Sequence, residues 1–124
     1  MNTQELQLVT FEQAKRLKEF GFDWEVCDYT YSHEYSPIWD NSEDHNKWDS
    51  RISLPTVALA LKWIRDTKGK IYDFIVALDS TFNFKIYRGL GEWTDWYKFS
   101  TYESAEIALL DELLTILDKE NEND

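Results

Sequence analysis

The chain has 124 residues, 24 of them acidic against 13 basic, for a net charge of −11. That length bounds it to one domain with enough buried surface for a core without metal or disulfide staples. The lone Cys27 excludes an internal disulfide and fits a reducing compartment.

Charge is unevenly spread. Residues 19–49 carry nine acids opposed only by Lys47, and residues 103–124 carry eight opposed only by Lys119. Both blocks repel phosphate and anionic lipid, which disfavours nucleic-acid and membrane binding. Residues 50–102 hold eight bases against five acids and are the one stretch where an anion has a place to dock. No apolar run is long enough to cross a membrane, so a cytoplasmic protein is expected. Aromatics make up 16% of the residues and are expected to build much of the core.

The first helix is predicted in "TFEQAKRLKEFGF". Thr10 and Gln13 fit a reciprocal capping box, and Phe11, Ala14, Leu17 and Phe20 recur at helical spacing. Gly21 stands where a left-handed residue closes a helix. A strand around "FDWEVCDYTY", residues 22–31, is open as a fourth, edge strand; its alternation slips near Cys27 and Asp28. Residues 32–52 read as a long loop draped over the domain, pinned by Tyr35, Trp39 and Trp48.

The second helix is placed after Ser53 as N-cap, with Pro55 in its first turn. Leu54, Val57, Ala58, Leu61 and Ile64 mark its apolar stripe, and Gly69 ends it. "KIYDFIVAL" is apolar on both faces, the pattern of a central strand. Asp79, Ser80 and Thr81 supply a turn into "TFNFKIYR", where Phe82, Phe84 and Ile86 alternate with Asn83, Lys85 and Tyr87. "EWTDWYKFS" reads as a third strand. The third helix opens with Ser100 and Glu103 as a capping box and carries a broad stripe through Tyr102, Ala105, Leu109, Leu110, Leu113, Leu114 and Leu117. The fold class is therefore α+β: a three-stranded antiparallel meander, with the fourth edge strand, packed with three helices in the order α-(β)-loop-α-β-β-β-α. It forms one domain over residues 1–118, and the acidic tail 119–124 is too polar to order.

Candidate chemistry is sparse. "GLGEWT" has two glycines but no third and no helix start, so it is a turn and not a phosphate cradle. His33 and His45 lie among carboxylates, the donor set of a small metal-dependent enzyme, but their spacing matches no metal motif. Glu25 and Asp28 push a thiolate at Cys27 the wrong way for a nucleophile. No catalytic, cofactor or metal residue is assigned. The helix–three strands–helix order is similar to that of double-stranded-RNA-binding domains. "TYESAEIALLDE", however, puts acids where such a domain grips phosphate, so the activity is not expected.

"LVTFEQAKRLKEFGFDWE", "SLPTVALALKWIRDTKG" and "FSTYESAEIALLDELLTIL" resemble a set of small α+β proteins encoded by phages and prophages of gut-type bacteria. The likeness covers residues 10–26, 53–69 and 99–117, whereas 32–52 departs freely and Ser53-Leu54 replaces the usual small residue before Pro55-Thr56. The resemblance implies phage or prophage origin and the same fold, and transfers no activity and no site residue. On that basis a non-enzymatic accessory protein that binds another protein is expected. Tyr35, Trp39, Trp48, Trp93 and Trp96 are its candidate interface, because aromatics dominate binding hot spots. The alternative is an acidic mimic of DNA that occupies a host defence or DNA-binding protein, its carboxylates standing in for phosphates.

Overall fold

A computed structural model describes residues 7–122. The chain forms two compact units, Met1–Trp63 and Ile64–Asp124, where the sequence reading expects one domain. The division falls within the second helix. Among the described residues, no helix is long and apolar enough to cross a membrane.

The first unit opens with α1 (Phe11–Glu19), whose ends are as the sequence predicts. The Gln13 N–H donates to the Thr10 hydroxyl (3.1 Å), and the Thr10 N–H donates to the Gln13 side chain (3.0 Å). At the other end Gly21 takes φ +95°, a conformation that costs glycine nothing. The turn closes with Gly21 N–H on the Lys18 carbonyl (3.0 Å) and Phe22 N–H on the Leu17 carbonyl (2.9 Å).

Next come β1 (Val26–Tyr31), β2 (Ile38–Glu43), a 3-10 turn (His45–Lys47) and β3 (Arg51–Ser53). They form a separate antiparallel sheet in the order β2-β1-β3, with β1 in the middle. The expected edge strand is thus the centre of its own sheet, and the expected loop 32–52 contains two strands. The slip in alternation near Cys27 and Asp28 is a bulge between Val26 and Asp28.

Polar side chains, more than rings, hold this segment. Asn46 donates to the Phe22 carbonyl (2.9 Å) and accepts from the Ser53 N–H (2.8 Å). Lys18 Nζ reaches the carbonyls of Trp48 (2.9 Å) and Arg51 (2.7 Å). Buried Thr30 donates to the Glu34 carbonyl (2.6 Å) and accepts from the Ser36 N–H (2.7 Å).

The second helix, α2 (Val57–Lys68), starts later than Ser53 would place it. Ser53 ends β3, and the Thr56 hydroxyl caps the helix by accepting from the Leu59 N–H (3.1 Å). Pro55 lies ahead of the first turn, its carbonyl accepting from Val9 N–H (3.0 Å). The buried residues of α2 are Val57, Ala60, Leu61, Trp63 and Ile64, while Ala58 is exposed.

The second unit holds β4 (Tyr72–Val76), β5 (Phe82–Gly89), β6 (Glu92–Trp93), β7 (Tyr97–Phe99) and α3 (Tyr102–Glu122). Strand β5 is the hub, pairing with β4 on one side and with both β6 and β7 on the other. The expected central strand β4 lies at an edge, and among the described residues its outer margin pairs with no other strand. Ile75 and Val76 are accordingly exposed. The expected third strand breaks in two at Thr94, which binds both backbone groups of Ile86. Its hydroxyl accepts from the Ile86 N–H (2.9 Å), and its N–H donates to the Ile86 carbonyl (2.9 Å).

Phe84, fully buried, stacks on Tyr97 (4.8 Å between centroids) and Phe99 (5.7 Å). α3 packs on β5 and β7 with Ala105, Leu109, Leu110, Leu113, Leu114 and Leu117 buried. Its N-cap is Thr101 and not Ser100, with Ser104 N–H donating to the Thr101 hydroxyl (3.1 Å). Glu106 is buried and accepts from the Tyr102 hydroxyl (2.9 Å). Burial, then Glu106, pushes Tyr102 up to about 12, and burial raises the Glu106 carboxyl above the usual carboxylate range. The helix continues through residues 119–122 of the expected tail; residues 123–124 lie outside those described.

The β4–β5 turn is held by Asp79. Its carboxylate accepts from the Thr81 hydroxyl (2.6 Å) and N–H (3.2 Å) and pairs with Lys98 (3.0 Å). These donors, Thr81 first, lower Asp79 from 3.8 to about 2. A carboxyl whose folded pKa is depressed stabilises the fold above its unfolded pKa and loses that contribution as pH falls through the folded one. In urea titrations, Asp79→Asn is expected to be less stable than the parent near neutrality, and the gap should close between pH 3.8 and about 2. A gap that does not change with pH contradicts this role.

Candidate functional site

Tyr35, Trp39 and Trp48 belong to the first unit and Trp93 and Trp96 to the second. In the first unit the three rings have different fates. Tyr35 packs edge-on against Phe11 (6.1 Å). Trp48 is exposed but held: its indole N–H donates to Glu43 (3.2 Å), and Lys47 and Arg51 lie over its ring at 5.5 and 5.4 Å. Trp48, followed by Lys47, holds the Glu43 carboxyl below the usual carboxylate range. Trp39 alone stands clear, 77% exposed on β2. It does not pin the segment down.

The two histidines also separate by environment. His45 is fully buried and stacked on Tyr29 (4.5 Å). Its Nδ1 faces Arg51 Nη1 at 3.3 Å. Arginine only donates, so Nδ1 accepts and the proton sits on Nε2, which is buried with no partner among the described residues. Arg51 also lies over the Tyr29 ring (4.5 Å). Burial, then the neighbouring Tyr31, raises the Tyr29 hydroxyl above its ordinary range. His33 is exposed, stacked on Tyr31 (5.9 Å) and 3.9 Å from Glu34. Among the described residues, no three histidine, cysteine, aspartate or glutamate side chains are grouped to hold a metal ion. Cys27 is partly buried at the β1 bulge, and burial raises the carboxyl of the adjacent Asp28.

In the second unit, strand register brings side chains together. Residues paired across antiparallel strands share a face, so Asp73 with Lys85, Ile75 with Asn83 and Lys98, and Tyr87 with Trp93 lie on one side. The other side carries Phe84 and Ile86 to the core. On the outward side Lys85 Nζ sits over both Trp93 (4.6 Å) and Trp96 (4.9 Å), and Tyr87 meets Trp93 edge-on (5.2 Å). Among the described residues Lys85 has no carboxylate partner. Ile71 and Ile75 are exposed at the β4 side. The sequence reading nominated the two tryptophans singly. Lys85 between them went unnoticed, because only the split of the third strand at Thr94 carries Trp96 back to the ammonium.

Comparison with protein-family models, curated proteins and solved structures finds no match for this chain.

Arg51 is the side chain on which His45, Tyr29 and Trp48 converge. Arg51→Ala is expected to cost about 1–3 kcal/mol, since it strips a buried acceptor of its donor. Trp39→Ser should stay within about 0.5 kcal/mol of the parent. Chemical denaturation of the two variants measures both, and equal losses would contradict the different fates of these residues.

Proposed function

We propose that the chain is a cytoplasmic, non-enzymatic accessory protein of phage or prophage type that acts by binding another protein. Its contact surface is the outward face of the β4–β7 sheet. The observation that supports this reading is the Trp93–Lys85–Trp96 clasp beside exposed Ile75. There two rings and an unpaired cation are spent neither on the core nor on a turn. Tryptophan supplies large contact area at little conformational cost, and hot spots are enriched in it. A lysine held between rings is partly desolvated already, so a carboxylate from a partner gains more from it than from a free surface lysine. The fitting partner therefore offers an apolar patch with an acidic residue at its centre. The resemblance of three segments to phage and prophage proteins supports a partner in a bacterial host.

The test is affinity capture from bacterial lysate with the whole chain as bait, followed by binding measurements on the captured protein. Trp93→Ser combined with Trp96→Ser is expected to weaken binding at least about tenfold, and Trp39→Ser to leave it unchanged. A partner held equally by all three chains overturns the assignment to this face.

A further inference from the structure

A second feature of the Ile64–Asp124 unit lies beside the protein-binding face and shares Tyr87 with it. A cavity of about 320 Å³ opens between α3 and the far end of β5, at the small end of the size range of ligand sites, about 300–1,000 Å³. Three cations line it, Lys70, Arg88 and Lys119, against two carboxylates, Glu112 and Glu120. Lys70 is paired with Glu120. Among the described residues neither Arg88 nor Lys119 has an ion-pair partner. The lining thus carries one net positive charge in a chain whose net charge is −11. Ile116 and the rings of Tyr87 and Tyr97 give it an apolar wall.

Strand geometry explains how the cations and the wall meet. Neighbouring residues of a regular strand point to opposite faces, yet Tyr87 and Arg88 both line this cavity. The β5–β6 register shifts between Tyr87 and Gly89, and such an irregularity re-aims side chains. Gly89, Leu90 and Gly91 all have positive φ, and the Gly91 N–H donates to the Tyr87 hydroxyl (2.8 Å), which anchors that ring at the rim.

We infer that this cavity is a binding site for a small organic monoanion, a carboxylate on a flat apolar body. Arg88 and Lys119 hold the oxyanion, and Ile116 and Tyr97 cover the body. A single negative charge matches the lining. The apolar wall disfavours an ion with no carbon skeleton, and the two unpaired cations disfavour a neutral ligand.

The test follows backbone amide shifts of the isotope-labelled full chain during titration with benzoate, benzamide and inorganic phosphate. Benzoate is expected to produce saturable shifts at residues 87–88, 94 and 115–120. Benzamide and phosphate should produce none that saturate over the same range. Arg88→Gln and Lys119→Gln, both at exposed positions, should each weaken benzoate at least tenfold while leaving the rest of the amide spectrum in place. Absence of benzoate shifts at these residues overturns the inference, and so does equal saturation by benzamide or phosphate. Variants that bind benzoate like the parent also overturn it. Capture of the protein partner should be unaffected by Arg88→Gln, which separates failure of this site from failure of the Trp93–Trp96 face.

Discussion

A stretch of chain can be ordered only if its backbone N–H and C=O groups find partners; in residues 32–53, β2 and β3 meet theirs on β1, and further groups are met by the side chains of Lys18, Thr30 and Asn46. Asn46 ties the carbonyl of Phe22, just past α1, to the N–H of Ser53, at the end of β3. Lys18, near the end of α1, caps the carbonyls of Trp48 and Arg51. With these in place β3 can pair with β1, Arg51 reaches His45, and Trp48 is gathered in by Glu43, Lys47 and Arg51.

This is also why the segment could not be read from the sequence. A capping box declares itself within four residues, and Thr10 with Gln13 did so. The Asn46 contact spans 24 residues and leaves no local pattern. Hydroxyl residues near helix starts were ambiguous for a related reason: Ser53 and Ser100 are acceptable caps, but Thr56 and Thr101 take the role once β3 and β7 claim the preceding residues. Apolar character on both faces of "KIYDFIVAL" pointed to a central strand, yet the pairing makes β5 the hub. Its clean alternation, Phe84 and Ile86 inward against Lys85 outward, was the better signal. The aromatic content of the candidate face was legible. Its assembly was not, because it depends on cross-strand register and on a break at Thr94.

Electrostatics divides along the same lines. The acids that hold local structure, Glu43 under Trp48 and Asp79 in its turn, have carboxyls lowered by the donors around them. Glu106, by contrast, is buried in α3, is raised by that burial, and answers to Tyr102. The modest surplus of bases in residues 50–102 includes Lys85 and Arg88, one step of three residues apart on β5. Strand pleat and bulge send them to different neighbourhoods, one between indoles and one to a cavity. A single strand thereby supplies the cation of both surfaces.

The vacant margin of β4 has a consequence for how the protein behaves in concentrated solution. Among the described residues the outer margin of Tyr-Asp-Phe-Ile-Val pairs with no other strand and carries one charged side chain, Asp73, an edge of the kind on which strands of separate molecules stack. Chains of net charge −11 repel one another, which opposes such stacking. Salt shortens the range of that repulsion and acid removes its source, so both should promote fibrous or amorphous association through β4 even while each molecule remains folded.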